Sequence, residues 1–311
     1  MDIKSFIADI KKRKDLREVV HHEEIPLVVP SYGETSLPLC AELKEALLKL
    51  GIRGLYSHQA VGIDMIRDGK NLVIMTPTAS GKSLIYNIPV IEAMLLDKDS
   101  SALYIFPLKG LEQDQMRAFN HLASGLPPDT LKPFLLEKKR TSASAPWLSG
   151  IYDGDTSAYR RQKIRESPPP VVLTNPDMLH LAINAFHPKW ERFFRNLKYV
   201  IIDEIHTYRG VFGSHVAHVL RRLRRILKLY NANPQFISCS ATIANPQELA
   251  GMLTGLPFEL IQKSGSPQGR RNFLFLNPLP EGNPYLVAAR LFAASVGSGL
   301  KTIAFTKASG A

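Results

Sequence analysis

Lys82 and the acid pair Asp203-Glu204 are the side chains best suited to chemistry on a polyphosphate, and each follows an apolar run. Leu72–Met75 leads into Thr76-Pro77-Thr78-Ala79-Ser80-Gly81-Lys82-Ser83, and an amphipathic stretch comes next. A loop between strand and helix aims backbone N–H groups at an anion, and the helix N-terminus adds the positive end of its dipole. In such a loop Thr78, Ala79 and Ser80 line the phosphates and Gly81 admits them closely. Lys82 reaches the β- and γ-phosphates, and Ser83 ligates Mg2+. Thr76 stands where the strict pattern has glycine, so the match is partial, and alone it could be an ordinary turn. The second half is Tyr199-Val200-Ile201-Ile202 running into Asp203-Glu204-Ile205-His206. At such a strand end the Asp holds Mg2+, usually through water. The next acid is placed to orient and deprotonate the attacking water. An isolated Asp-Glu is usually a polar turn, but both halves, each directly after an apolar run, favour nucleotide hydrolysis.

These residues need a sheet to hold them. The runs Leu72–Met75, Ala102–Phe106, Val171–Leu173, Tyr199–Ile202 and Phe236–Cys239 alternate with amphipathic stretches. Strands this apolar predict an α/β fold with a mostly parallel sheet covered by helices on both faces. Residues 1–50 read as an N-terminal arm, with Ile3–Val20 as a surface helix. Leu43, Ala46, Leu47 and Leu50 mark a further helix that Gly51 stops. Residues 51–262 form the sheet domain and 263–271 a linker. Residues 272–311 add a strand, a helix near Pro284–Ser295 and a strand at Thr302–Phe305, too little to complete a second α/β domain.

Composition narrows the partner. Among 311 residues, 39 Lys and Arg outweigh 28 Asp and Glu; the net charge of +11 favours a polyanion such as nucleic acid. A 45% hydrophobic content excludes global disorder. Cys40 and Cys239 make neither a disulfide framework nor a zinc cluster, which fits a reducing compartment. Met1–Asp15 lacks the apolar core of a signal peptide, and no run reaches the ~20 apolar residues of a membrane span. The expected location is cytoplasmic, nucleoid-associated in a bacterium, with no membrane partner.

Further residues carry a family resemblance. Asp203-Glu204-Ile205-His206 resembles motif II of the superfamily 2 DEAD/DEAH-box helicases, a family that tolerates Thr at the position of Thr76. Tyr56-Ser57-His58-Gln59 is similar to the adenine-reading Q motif, and Phe106-Pro107-Leu108-Lys109-Gly110-Leu111 to motif Ia. Tyr152-Asp153-Gly154-Asp155-Thr156 and Thr174-Asn175-Pro176-Asp177-Met178-Leu179-His180 resemble the next strand-binding segments. Ser240-Ala241-Thr242 resembles motif III, and Lys301-Thr302-Ile303-Ala304-Phe305-Thr306 motif IV. Thr207 to Val216 is similar to the MrfA/YprA and Hrq-type branch, DNA helicases linked to repair. The resemblance implies a RecA-like P-loop NTPase domain, the start of a second RecA-like domain, ATP and Mg2+ as cofactors, and 3′-to-5′ unwinding. Single-stranded or forked DNA is the expected partner, with RNA the alternative. Motifs V and VI fall outside the chain.

The resemblance also assigns roles. Gln59 reads adenine, its amide donating and accepting at once, or it caps a helix; Tyr56 stacks on the base or joins the core. Ser240 and Thr242 relay the nucleotide state to His206 or the acids, from a strand lying between those of Lys82 and Asp203, or they cap a helix. Strand contacts fall on Pro107, Lys109, Gly154, Asp155, Thr156, Thr174, Asn175, Pro176 and Arg209, with Arg160 and Arg161 beside them. Asn175 as N-cap and Pro176 as first helical residue would leave N–H groups free for a phosphate. Arg221, Arg222, Arg224, Arg225 and Lys228 lie opposite an apolar stripe from Val216 to Leu227 and are expected to form a solvated helix face.

Overall fold

The computed structural model describes residues 2–16, 18–134, 147–277 and 283–305. They form two compact units, Pro30–Ser266 and a smaller one made of Met1–Val29 with Pro267–Ala311.

The larger unit is built on seven parallel strands: β1 (Leu72–Ile74), β2 (Ser101–Ile105), β3 (Ser149–Ile151), β4 (Val171–Thr174), β5 (Leu197–Ile202), β6 (Gln235–Cys239) and β7 (Glu259–Ile261), in the order β7-β1-β6-β5-β2-β4-β3. The strand of Ser240 thus lies between those of Lys82 and Asp203. Because strand side chains alternate, each strand feeds two cores. Leu72, Ile74, Tyr104, Leu173, Ile201 and Cys239 face one side. There α1 (Ala41–Lys49), α2 (Ser57–Arg67), α3 (Lys82–Leu96) and α4 (Lys109–Ser124) cover them. Val73, Leu103, Ile105, Val172, Val200 and Ile202 face the other, under α5 (Ala158–Glu166), α6 (Gly210–Leu229) and α7 (Pro246–Thr254). Val200, Ile201 and Ile202 are fully buried, each stabilising the fold by about 1.5–3 kcal/mol. That burial fixes the strand end from which Asp203 emerges.

Three expectations are corrected. The N-terminal helix is Ile3–Lys12, shorter than Ile3–Val20, because Glu18–Ile25 pairs antiparallel with Arg271–Asn277 in the smaller unit. Residues 301–305 form no strand, and Thr306 lies outside the described residues. Residues 263–266, read as linker, are fastened within the larger unit. Gly265 N–H donates to His58 Nδ1 at 3.1 Å, and its carbonyl accepts from Ser31 N–H at 2.8 Å.

Candidate active site

The phosphate loop joins β1 to α3. Its last residue, Gly81, has φ +78, and Ala79 has φ +61. A left-handed backbone costs a non-glycine residue about 1–2 kcal/mol. At position 81 a Cβ would also lie 2.4 Å from Gln59 Nε2. Gln59 is buried and clamps the loop: Nε2 donates to the Gly81 carbonyl at 3.0 Å, and Oε1 accepts from Tyr56 N–H at 2.9 Å. The capping reading of Gln59 is thus what the structure shows, and each amide atom keeps a further hydrogen-bonding valence. Tyr56 is half-buried and stacks on Tyr32, ring centroids 5.5 Å apart. The Thr76 and Ser80 hydroxyls share a buried hydrogen bond of 2.7 Å, which staples the loop from inside and gives Thr76 a use. Lys82 Nζ folds back to donate to the Thr76 carbonyl at 2.8 Å. Thr78 is exposed and Ser83 half-buried.

Asp203 is 7% exposed. Burial, reinforced by the adjacent Glu204 charge, pushes its carboxyl up to about 6, while the Glu204 N–H and the Lys82 ammonium pull the other way. Lys82 and the acids therefore share one neighbourhood. The Cys239 thiol, at the end of the intervening β6, feels the charges of Asp203, Lys82 and Glu204 together. Glu204 stands in the left-handed region at φ +49, an uncommon conformation for a non-glycine residue that clusters at functional sites. Its N–H donates to Asp203 Oδ1 at 2.9 Å. His206 Nδ1 lies 3.1 Å from Glu204 Oε2 and 3.3 Å from the Ala241 N–H. One ring nitrogen cannot donate to Glu204 and accept from Ala241 at once, so the two contacts compete. The link between the acids and the Ser240-Ala241-Thr242 segment thus runs through a backbone N–H and not through the two hydroxyls. Ser240 is buried with its hydroxyl on the Ala241 carbonyl at 2.8 Å, and Thr242 is exposed.

No cluster of three or more His, Cys, Asp or Glu able to hold a metal is found among the described residues. A site whose protein donors are only the Ser83 hydroxyl and the Asp203 carboxylate suits Mg2+, which keeps waters and takes substrate phosphates as its other ligands.

The strand-contact candidates lie along the other half of the same sheet edge, at the carboxyl ends of β2, β3 and β4. Ligands bind open α/β sheets at this edge. Pro107 and Lys109 follow β2, and Lys109 Nζ pairs with Asp155 Oδ1 at 2.7 Å across to the loop after β3. In that loop Gly154 is exposed, and the Thr156 hydroxyl donates to the Ile151 carbonyl at 3.0 Å. Thr174 is fully buried, its hydroxyl on the Tyr152 carbonyl at 2.8 Å, so it positions the turn rather than touching a strand. Asn175 Oδ1 accepts from Met178 N–H at 3.0 Å, capping the short helix that Pro176 opens. Arg209 is exposed at the start of α6, and Arg160 and Arg161 sit on α5.

Two buried residues were given no role by the sequence reading, although one of them, Tyr208, lies in the segment Thr207 to Val216. Glu112, in the first turn of α4, is fully buried; Oε1 accepts from Asn175 Nδ2 at 3.3 Å, and Oε2 has no partner among the described residues. Tyr208 is buried too, its hydroxyl equally unpartnered and within the fields of Asp203, Glu112 and Glu204. Burial, with Asp153 and Asp155 adding, pushes the Glu112 carboxyl up to about 7 against the Asn175 hydrogen bond and the Lys109 charge. A glutamate of the unfolded chain titrates near 4.5. The fold thus favours the protonated acid: its contribution is complete below the unfolded value and is lost as pH climbs through about 7. Glu112→Gln, which cannot ionise, is expected to stabilise the chain at pH 8.5 by up to about 3 kcal/mol and to change little at pH 4. Urea unfolding at both pH values checks this, and an equal effect at both would contradict it.

Comparison with known proteins agrees with this geometry. The DEAD/DEAH box helicase family model matches residues 56–249. The ATP-dependent helicase YprA of Bacillus subtilis is 48% identical over 89% of this chain and 35% of its own length. The ATP-dependent helicase HRQ1 of Saccharomyces cerevisiae is 38% identical over 89% of this chain and 25% of its own. Crystal structures of the DUF1998 helicase MrfA, bound to DNA and to DNA with AMPPNP, superpose with TM-scores of 0.82 at 41% and 40% identity. They cover 95% of this chain and 39% of MrfA. The chain therefore spans about a third or less of the curated relatives and under half of MrfA. With the RecA-like parallel sheet, the phosphate loop and the strand-end acids in one frame, this chain belongs to the DEAD/DEAH box helicase family.

Proposed function

We propose that this chain is the ATP-binding part of a DNA helicase of 3′-to-5′ polarity that serves DNA repair. Polarity and the repair role rest on the resemblance of Thr207 to Val216 to the MrfA/YprA and Hrq-type branch, and one arrangement carries the ATP-driven part of the reading: Lys82, Asp203 and Glu204 share one half of a sheet edge, and the strand-contact loops occupy the other half. The loop Thr76–Ser83 holds the triphosphate, with Lys82 turning from the Thr76 carbonyl to the β- and γ-phosphates, and Gln59 and Tyr56 beside the adenine. Ser83 and Asp203 would hold Mg2+, which when bound neutralises charge on the phosphates. Glu204 orients the attacking water and takes its proton. His206 exchanges its contact with Glu204 for that with Ala241, passing the nucleotide state to the segment after β6. The larger unit, Pro30–Ser266, acts as the first motor domain, and residues 272–311 open the second. The arginines that complete the site belong to motifs V and VI, so the 311-residue chain alone should hydrolyse ATP weakly and unwind nothing.

DNA is favoured over RNA because MrfA, similar along nearly the whole chain, is seen bound to DNA. Competition between single-stranded DNA and RNA of the same sequence, with AMPPNP present, tests the choice. Preferential retention of DNA is expected; a clear preference for RNA would overturn it.

A further inference from the structure

The arginines of α6 do not share one solvated face. Arg224 donates to the Thr254 and Gly255 carbonyls at 2.8 and 3.1 Å, capping α7, and Arg221 reaches the Met252 carbonyl at 3.4 Å. Arg222 and Arg225 make no ion pair among the described residues. With Arg221 they line a groove of about 710 Å3 between α6 and the turn that begins at Pro176. Three histidines share the lining, and Asp177 is its one carboxylate. Gathering guanidinium groups with so little acid costs folding energy through self-repulsion, and an anionic occupant offsets that cost. The lining runs along α6 from Phe212 to Arg225, about 20 Å at helical rise, long enough for several consecutive phosphates. Its far wall starts at Pro176, directly after the capping Asn175, so the groove continues the path of the strand-contact loops.

We propose that this groove is a second nucleic-acid contact that takes the sugar–phosphate backbone beyond the Asn175–Pro176 turn, with Arg222 and Arg225 on the phosphates. The proposal rests on the DNA reading above and extends it. Such contacts track the backbone without base preference and make affinity depend on salt.

The test uses the chain with AMPPNP and oligodeoxythymidines of about 4 to 16 nucleotides. Wild type is expected to gain affinity with length until the groove is filled. The double variant Arg222→Glu/Arg225→Glu should match wild type on the shortest strand, bind the longest about ten-fold more weakly, and show a salt slope smaller by about two. Arg222→Lys/Arg225→Lys should keep most of the length-dependent gain. An unchanged length dependence and salt slope in the charge-reversed variant would overturn the groove, as would an equal loss at every length. Wild type that binds no strand of any length would instead remove the DNA reading itself.

Discussion

Glu204→Gln is expected to bind ATP with near-native affinity and to hydrolyse it about 10²–10⁴-fold more slowly than the unsubstituted protein. The amide keeps the size of the carboxylate but cannot take a proton from water. The left-handed backbone at residue 204 and its N–H bond to Asp203 do not depend on the side chain, so the strand end keeps its shape. The Glu204 side chain is only 31% exposed and lies beside His206, so the change should perturb that contact and leave the core untouched. Single-turnover kinetics with labelled ATP separate binding from cleavage. Unchanged cleavage would remove Glu204 as the base.

Lys82→Ala is expected to act on both steps. Its ammonium is held by the Thr76 carbonyl and the more distant Pro77 carbonyl, and it acts on the buried Asp203 only through space. Stability should fall by about 0.5–1.5 kcal/mol, the net worth of the hydrogen bond to Thr76. Removing a positive charge aimed at developing phosphate charge should lower turnover by about 10²–10³-fold and weaken nucleotide binding as well. Steady-state ATPase beside a urea melt decides the matter. A large loss of stability with normal turnover per folded molecule would mean that Lys82 is structural.

The sheet was legible in the sequence because strands covered on both faces are continuously apolar, and five such runs gave five of its seven strands to within a residue or two. The strands at Ser149–Ile151 and Glu259–Ile261 lie at the sheet edges and are short and mixed in character. Local chemistry also showed through: Asn175-Pro176 reads as a helix start and is one. What stayed hidden depends on partners distant in sequence. The pairing of Glu18–Ile25 with Arg271–Asn277 joins opposite ends of the chain, and nothing local in either strand names the other. Nothing local marks Glu112 as buried, and its hydrogen-bond partner Asn175 is 63 residues away. The contact of His206 with the segment after β6 uses a backbone N–H of Ala241, an atom every non-proline residue carries, so no side-chain motif could announce it.

The central claim is that Lys82 and Asp203-Glu204 serve a single bound triphosphate. A crystal structure of this chain with AMPPNP and magnesium tests it most directly. The account predicts the γ-phosphate within hydrogen-bond reach of Lys82 Nζ and the metal on Ser83 Oγ, with Asp203 beside it. Phosphates lodged elsewhere, with Lys82 still turned to the Thr76 carbonyl and no metal near Asp203, would contradict it.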